Sequence, residues 1–142
     1  MGALMRVGNI LRSAALLLVG LTLSGCIHFT HESAEGKPVS DIATINQINP
    51  ALTIVRVDGE GTWFWLSRQS QYFIGPGIHR IEVRRELSQQ SYTGTVERTV
   101  ELAAGRTYGL DGKIGYGRWD FEVRDIETGQ RVDKPVPETA AK

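Results

Sequence analysis

After residue 40 apolar and polar residues alternate along much of the chain, the pattern of strands with one face buried. The clearest case is 78–87, where Ile81, Val83 and Leu87 fall on one side and Arg80, Glu82, Arg84 and Glu86 on the other. The stretch 92–102 answers it, with Tyr92, Val96, Val100 and Leu102 facing in and Thr95, Glu97, Thr99 and Glu101 facing out. A tight turn at Gln90 and Ser91 would set Arg84 opposite Glu97 and Arg80 opposite Glu101, cross-strand pairs that favour this register. Shorter candidates flank the hairpin at 42–45, 53–57, 62–66, 106–110 and 119–125, and 130–133 pairs back across a turn at Glu127, Thr128 and Gly129. Breakers separate them: Asp58-Gly59-Glu60-Gly61, Gly75-Pro76-Gly77 and Ala103-Ala104-Gly105. No stretch after residue 26 keeps a helical period over three turns, although a helical turn is an alternative to a strand at 40–47. Seven or eight short strands, with turns roughly every 8–12 residues, predict an all-β fold, an antiparallel β-sandwich over 41–133. Residues 134–142, with prolines and alanines, read as a disordered tail.

The first 25 residues follow another rule. Arg6 and Arg12 precede an apolar run over 14–23, and Ser24 and Gly25 supply small residues behind it. Ten residues are too few to cross a hydrocarbon core, which takes ~20 in helical form, so the segment reads as an export signal to be removed. Leu23, Ser24, Gly25 and Cys26 resemble the lipobox of bacterial lipoproteins, in which an aliphatic residue, a small residue and Gly or Ala precede Cys. The resemblance implies a signal peptide over 1–25 cut between Gly25 and Cys26, diacylglycerol on the Cys26 sulfur, and acylation of the new amino terminus. The alternative is an ordinary secretory signal with an incidental cysteine. By the family's sorting rule Ile27, which is not Asp, points to the outer membrane facing the periplasm, given a Gram-negative host. Residues 27–40 are polar, with Gly36 and Pro38 and no period. With Cys26 they predict a flexible tether over 26–40, reaching ~20 Å from the membrane. His28 and His31 fall in it and are expected to be solvated, since two histidines without a third ligand or a scaffold make no metal site.

Composition narrows the function. Sixteen Lys+Arg balance sixteen Asp+Glu over 142 residues. Removing Arg6 and Arg12 with the signal leaves 14 − 16, or −2, across the remaining 117 residues. Such a chain lacks the concentrated basic face that nucleic-acid binding needs. A hydrophobic share of 41% supports a packed core. Cys26 is the only cysteine, so neither an internal disulfide nor a cysteine metal site can form.

The candidate chemistry is sparse. His79 lies on the inward parity beside Ile81 and Val83, and a general base there would need a nucleophile or carboxylate partner within hydrogen-bond range, so it reads as structural. Gly112-Lys113-Ile114-Gly115-Tyr116-Gly117 lacks the ending and the strand-to-helix context of a phosphate loop, and reads as a flexible hairpin loop. Trp63 and Trp65 share one strand face; such a pair stacks sugars, sits at a membrane interface or, most commonly, fills a core. Arg85 and Arg98 fall on the inward side of their strands. They belong either at the sandwich rim, with stems on apolar surface and heads in water, or in an anion-binding recess. Trp63, Trp65, Arg85 and Arg98 are therefore the candidate ligand or partner contacts.

The succession Val57-Asp58-Gly59, Gly75-Pro76-Gly77-Ile78-His79, Ala104-Gly105-Arg106-Thr107-Tyr108 and Asp125-Ile126-Glu127-Thr128-Gly129 resembles small envelope lipoproteins of PEGA-like or transthyretin-like architecture. It implies a sandwich and carries no catalytic residue; the Pro-Glu-Gly-Ala stretch naming the PEGA group is absent. The expectation is a membrane-anchored, non-enzymatic binding or scaffolding module, with no cofactor beyond the lipid on Cys26 and no metal. Its partners would be the membrane and an envelope protein, met through a strand edge, or peptidoglycan. The alternatives are an envelope enzyme acting on glycan or lipid, and a small-ligand carrier with an apolar cavity between its sheets.

Overall fold

A computed structural model of the chain describes residues 27–66, 69–88, 91–115 and 118–137. The strands are β1 (His28–Thr30), β2 (Ala43–Gln47), β3 (Leu52–Val57), β4 (Glu60–Gly61), β5 (Gln71–Ile74), β6 (Gly77–Ser88), β7 (Ser91–Leu102), β8 (Thr107–Gly115), β9 (Arg118–Asp125) and β10 (Asp133–Pro135). They form two five-stranded sheets, ordered β1-β5-β2-β8-β9 and β10-β7-β6-β3-β4. All pairs are antiparallel except β1 with β5 and β2 with β8. The fold is an all-β sandwich of two antiparallel-rich sheets.

The alternation explains the core. Ile81 and Val83 of β6, Val100 and Leu102 of β7, and Leu52, Ile54 and Val57 of β3 point from one sheet. They meet Ala43 and Ile45 of β2, Tyr72 and Ile74 of β5, Tyr108 and Leu110 of β8, and Phe121 and Val123 of β9. The Tyr72 hydroxyl, buried among them, accepts the Ile54 N–H at 3.3 Å; burial pushes it up to about 12.

Several expectations are corrected. The β6–β7 register places Arg80 opposite Thr99, Glu82 opposite Glu97 and Arg84 opposite Thr95, two residues from the expected one. A two-residue slip keeps every side chain on its face, so the apolar pattern cannot tell the registers apart. The irregularities around Glu86 fix it instead and turn Leu87 and Tyr92, expected inside, out to solvent. Residues 62–66 do not form a strand: β4 ends at Gly61, and Trp63 is left-handed at φ 57. The stretch 112–115 is the end of β8 rather than a hairpin loop; Tyr116 and Gly117 lie outside the described residues.

The largest correction is at the start. Residues 27–40 are no flexible tether. β1 lies along the edge of the first sheet, and short 3-10 turns follow at Glu32–Ala34 and Val39–Asp41. Phe29, His31 and Ala34 are buried, so three small or aromatic contacts to β5 and its surroundings outweigh the polar composition between them. The start of the expected tail is ordered as well, because β10 pairs with β7; residues 138–142 lie outside the described residues.

Candidate functional site

The sandwich has two distinct ends. At one, the β3–β4 turn places Asp58 and Gly59 both in the left-handed region (φ 50 and 85), the backbone of a two-residue hairpin turn that Asp-Gly favours. The Asp58 carboxylate then bridges: Oδ1 accepts the Arg80 N–H at 2.7 Å and Oδ2 meets His79 Nδ1 at 2.6 Å. His79 Nε2 lies 2.8 Å from the Gly75 carbonyl, which can only accept, so that nitrogen carries its hydrogen. Burial pushes the Asp58 carboxyl up, but the Arg80 N–H, the His79 imidazole and the nearby His31 outweigh it and hold it below the usual range.

His31 joins this cluster from the ordered N-terminal segment. It is 2% exposed, and its ring lies edge-on to that of His79 at 5.6 Å. It caps the first 3-10 turn, with Nδ1 2.7 Å from Ser33 Oγ and 3.3 Å from the Ser33 N–H. Nε2 has no hydrogen-bond partner and faces Glu60 Oε2 at 3.3 Å and Asp58 Oδ2 at 3.7 Å. Ser33 Oγ in turn accepts the Gly75 N–H at 2.8 Å. A Cβ on Gly75 would stand 2.6 Å from the Ser33 carbonyl oxygen, so the approach requires glycine. His31, Asp58, Glu60 and His79 thus converge from three separate parts of the chain.

Two ligands of a tetrahedral zinc with bonds of ~2.0–2.1 Å stand ~3.3 Å apart. His31 and Glu60 meet that spacing, whereas His79 and Asp58 at 2.6 Å are closed on a proton. Ser33, His31 and a carboxylate stand in the order of a hydrolytic triad. Here the hydroxyl is held by the Gly75 amide and belongs to the turn its own histidine caps. The cluster acts as a polar clamp tying the N-terminal segment to the β3–β4 turn and the β5–β6 corner. Sequence reasoning placed His79 inside, but put His31 in solvent and did not reach Ser33, Asp58 or Glu60. Only the Asp-Gly turn signal could have pointed to Asp58.

At the other end lie the tryptophans. Trp63 and Trp65 are 58% and 65% exposed, with rings 5.5 Å apart, so the expected burial between the sheets does not occur. Phe64, between them, turns the other way, and the Arg84 guanidinium is stacked 4.2 Å from its ring and 4.3 Å from that of Tyr92. These groups border a recess of about 270 Å³ with Arg56 and Glu82, on the outer face of the second sheet rather than between the sheets. Arg85 is half-buried opposite Leu52, its amide donating to Thr93 Oγ1 at 3.0 Å and its Nε without a partner.

Arg98 is neither a rim residue with its head in water nor part of an anion recess. Its guanidinium donates to Asp120 at 2.6 Å, to Asp133 at 2.7 Å and to the Phe121 carbonyl at 3.2 Å, and lies over the Phe121 ring. The inward cation is thereby matched by the fully buried Asp133 carboxylate, which also receives Arg131. Gly25 and Cys26 lie outside the described residues. Compared with family models of known proteins, with curated proteins and with solved structures, the chain matches none.

Proposed function

We propose that this chain is an envelope lipoprotein whose sandwich is a non-catalytic binding or scaffolding module, held by acyl chains on Cys26 and facing the periplasm from the outer membrane. The observation that carries the reading is Leu23-Ser24-Gly25-Cys26 behind an apolar run too short to span a bilayer. Each buried methylene adds ~0.8 kcal/mol, so two or three acyl chains anchor stably where one does not. The first strand begins at His28, so only Ile27 separates Cys26 from it along the chain. The module would therefore stand against the bilayer instead of ranging on a tether.

The partner is an envelope protein or peptidoglycan. Addition of a strand is the less favoured route, because the edges are blunted. β1, β4 and β10 are two or three residues long. The long edge of β9 is taken up by the Val132 N–H on Val123, the Gln130 carbonyl on Asp125 and the Asp133 carboxylate on the Val123 N–H. Side-chain surface is left as the means of contact.

Metabolic labelling with a palmitate analogue, followed by membrane fractionation, tests the anchoring. The parent is expected to take up label and sediment with membranes, and Cys26→Ser to lose both. A Cys26→Ser protein that fractionates as the parent does would overturn the anchoring, and turnover of an envelope glycan or lipid by the purified parent would overturn the non-catalytic role.

A further inference from the structure

Among the described residues ten large hydrophobic side chains are exposed: Ile27, Val39, Ile48, Trp63, Trp65, Leu66, Ile78, Leu87, Tyr92 and Ile126. Their distribution over the fold is uneven. The Ser70 amide and hydroxyl donate to the Ile27 carbonyl, and the Gln47 amide donates to the Ser70 carbonyl, so the start of β1, the start of β5 and the end of β2 share one end. Ile48 stands on the loop leaving that end. The same loop reaches Ala51, whose carbonyl accepts the Glu86 N–H, and so brings the tip of the β6–β7 hairpin, with Leu87 and Tyr92, alongside. The Arg84 guanidinium between Tyr92 and Phe64 joins that tip to the turn holding Trp63, Trp65 and Leu66. Seven of the ten therefore gather where the chain enters the domain. Val39 and Ile78 stand singly, and Ile126 lies with Ile48 over Gly109 on the outer face of the first sheet; Ile78 and Leu87 are nine positions apart along β6, ~30 Å at the usual rise.

Single exposed apolar residues are ordinary, but a gathered set marks an interaction surface. Exposed Trp and Tyr side chains, apolar in body and polar at one edge, are those that settle at a membrane–water interface. Trp63 is moreover held in the left-handed region, a conformation that costs a bulky residue energy and that a functional surface is a reason to keep. The occupant follows from where the chain goes: the apolar run over 14–23 and Cys26 lead into this same end through Ile27.

We infer that this end of the sandwich seats in the headgroup layer of the bilayer, with Trp63 and Trp65 immersed in it. The inference rests on the anchoring proposed above and adds the orientation: the His31–Asp58–His79 clamp then faces away from the membrane, towards the periplasm.

Tryptophan quenching tests it, because the chain has three tryptophans and the third, Trp119, packs against the core. The full acylated protein is reconstituted into phosphatidylethanolamine–phosphatidylglycerol vesicles, with and without bromine on the acyl chains near the headgroup. Trp119→Phe, emitting from Trp63 and Trp65 alone, is expected to be blue-shifted and quenched by the brominated lipid. Trp119→Phe in the vesicles without bromine is the reference, because Trp119 pairs opposite Ile114 beyond the end of β2 and so lies towards the same end itself. Acylated, vesicle-bound protein whose Trp63 and Trp65 are quenched by aqueous iodide and not by bromine would have this end in water, free for a protein partner. That result overturns the seating and leaves the anchoring standing. Loss of bromine quenching from Trp119→Phe together with a Cys26 peptide that carries no acyl mass would instead overturn the anchoring, and the seating with it.

Discussion

Asp58→Asn separates the charge of the clamp from its shape. Asparagine keeps the size of the side chain and tolerates the left-handed backbone at φ 50. Its carbonyl can still accept the Arg80 N–H, and its amide can donate to His79 Nδ1 while Nε2–H stays on Gly75. What disappears is the charge. A hydrogen bond to a charged group contributes ~1.5–3 kcal/mol and a neutral one ~0.5–1.5, a difference of about 1 kcal/mol. The Asp58 side chain is 36% exposed, and solvent screening brings the expected loss to ~0.5–1 kcal/mol, a fall of about 4 °C in Tm for a domain of this size. Asp58→Ala loses both hydrogen bonds and places a Cβ residue in a left-handed position without a compensating contact, for ~3 kcal/mol. The acid limb gives the second readout. The folded-state carboxyl titrates below the usual carboxylate range. Its contribution is therefore fully present above that range and is lost as pH falls through the folded value. The gap between parent and Asp58→Asn should thus close in acid. Thermal unfolding followed by circular dichroism from neutral to strongly acidic pH measures both. Asparagine as damaging as alanine at pH 7, or a gap that survives in strong acid, would refute the account.

Gly75→Ala should cost about 2–3 kcal/mol in urea unfolding, because its Cβ meets the Ser33 backbone oxygen. Gly61→Ala, with nothing near its Cβ, should stay within ~0.5 kcal/mol, and equal losses would show the Ser33–Gly75 seam to be loose. Arg98→Met leaves the fully buried Asp133 carboxylate to Arg131 and the Val123 N–H and should cost about 2–3 kcal/mol at pH 7, below the 3–5 of a pair broken outright. Burial pushes the Asp133 carboxyl up, but Arg131, the Val123 N–H and Arg98 hold it below the usual range, so the Arg98→Met deficit should shrink as pH falls through the folded value; a constant deficit would speak against the pairing.

Local alternation made the β6–β7 hairpin and the sandwich itself legible, with β8 and β9 recognisable as strands, because a period of two is written in the sequence. Features set between distant segments were not. The inward cation Arg98 was readable, whereas its partner Asp133, 35 residues away, was not. Thr62 to Leu66 carry the β-branched and aromatic residues of a strand, and that propensity yields to the left-handed backbone at Trp63, as strand propensity does when context decides. β5 has only four residues, too few for alternation to register. Polar composition between Ile27 and Ser40 concealed Phe29, His31 and Ala34, whose partners lie on β5, β6 and the β3–β4 turn.

The order of residues 27–40 couples the two ends of the sandwich to each other. β1 is a three-residue edge strand lying parallel to β5, and a pairing so short holds little on its own. Beyond its few ladder bonds, the segment is fastened by Phe29 against Tyr72 and, past its far end, by the His31 cluster and the Ser33–Gly75 seam. The polar clamp at one end thus keeps the first strand in its sheet, and that strand determines how closely Ile27, at the opposite end, is drawn to Ser70. If the clamp opened and β1 peeled away, 27–40 would become the ~20 Å tether that its composition suggests. On the proposed seating, the tryptophan-bearing end would then be free to leave the bilayer. On the seating proposed above, a charge network remote from the membrane therefore sets how closely the domain is held to it.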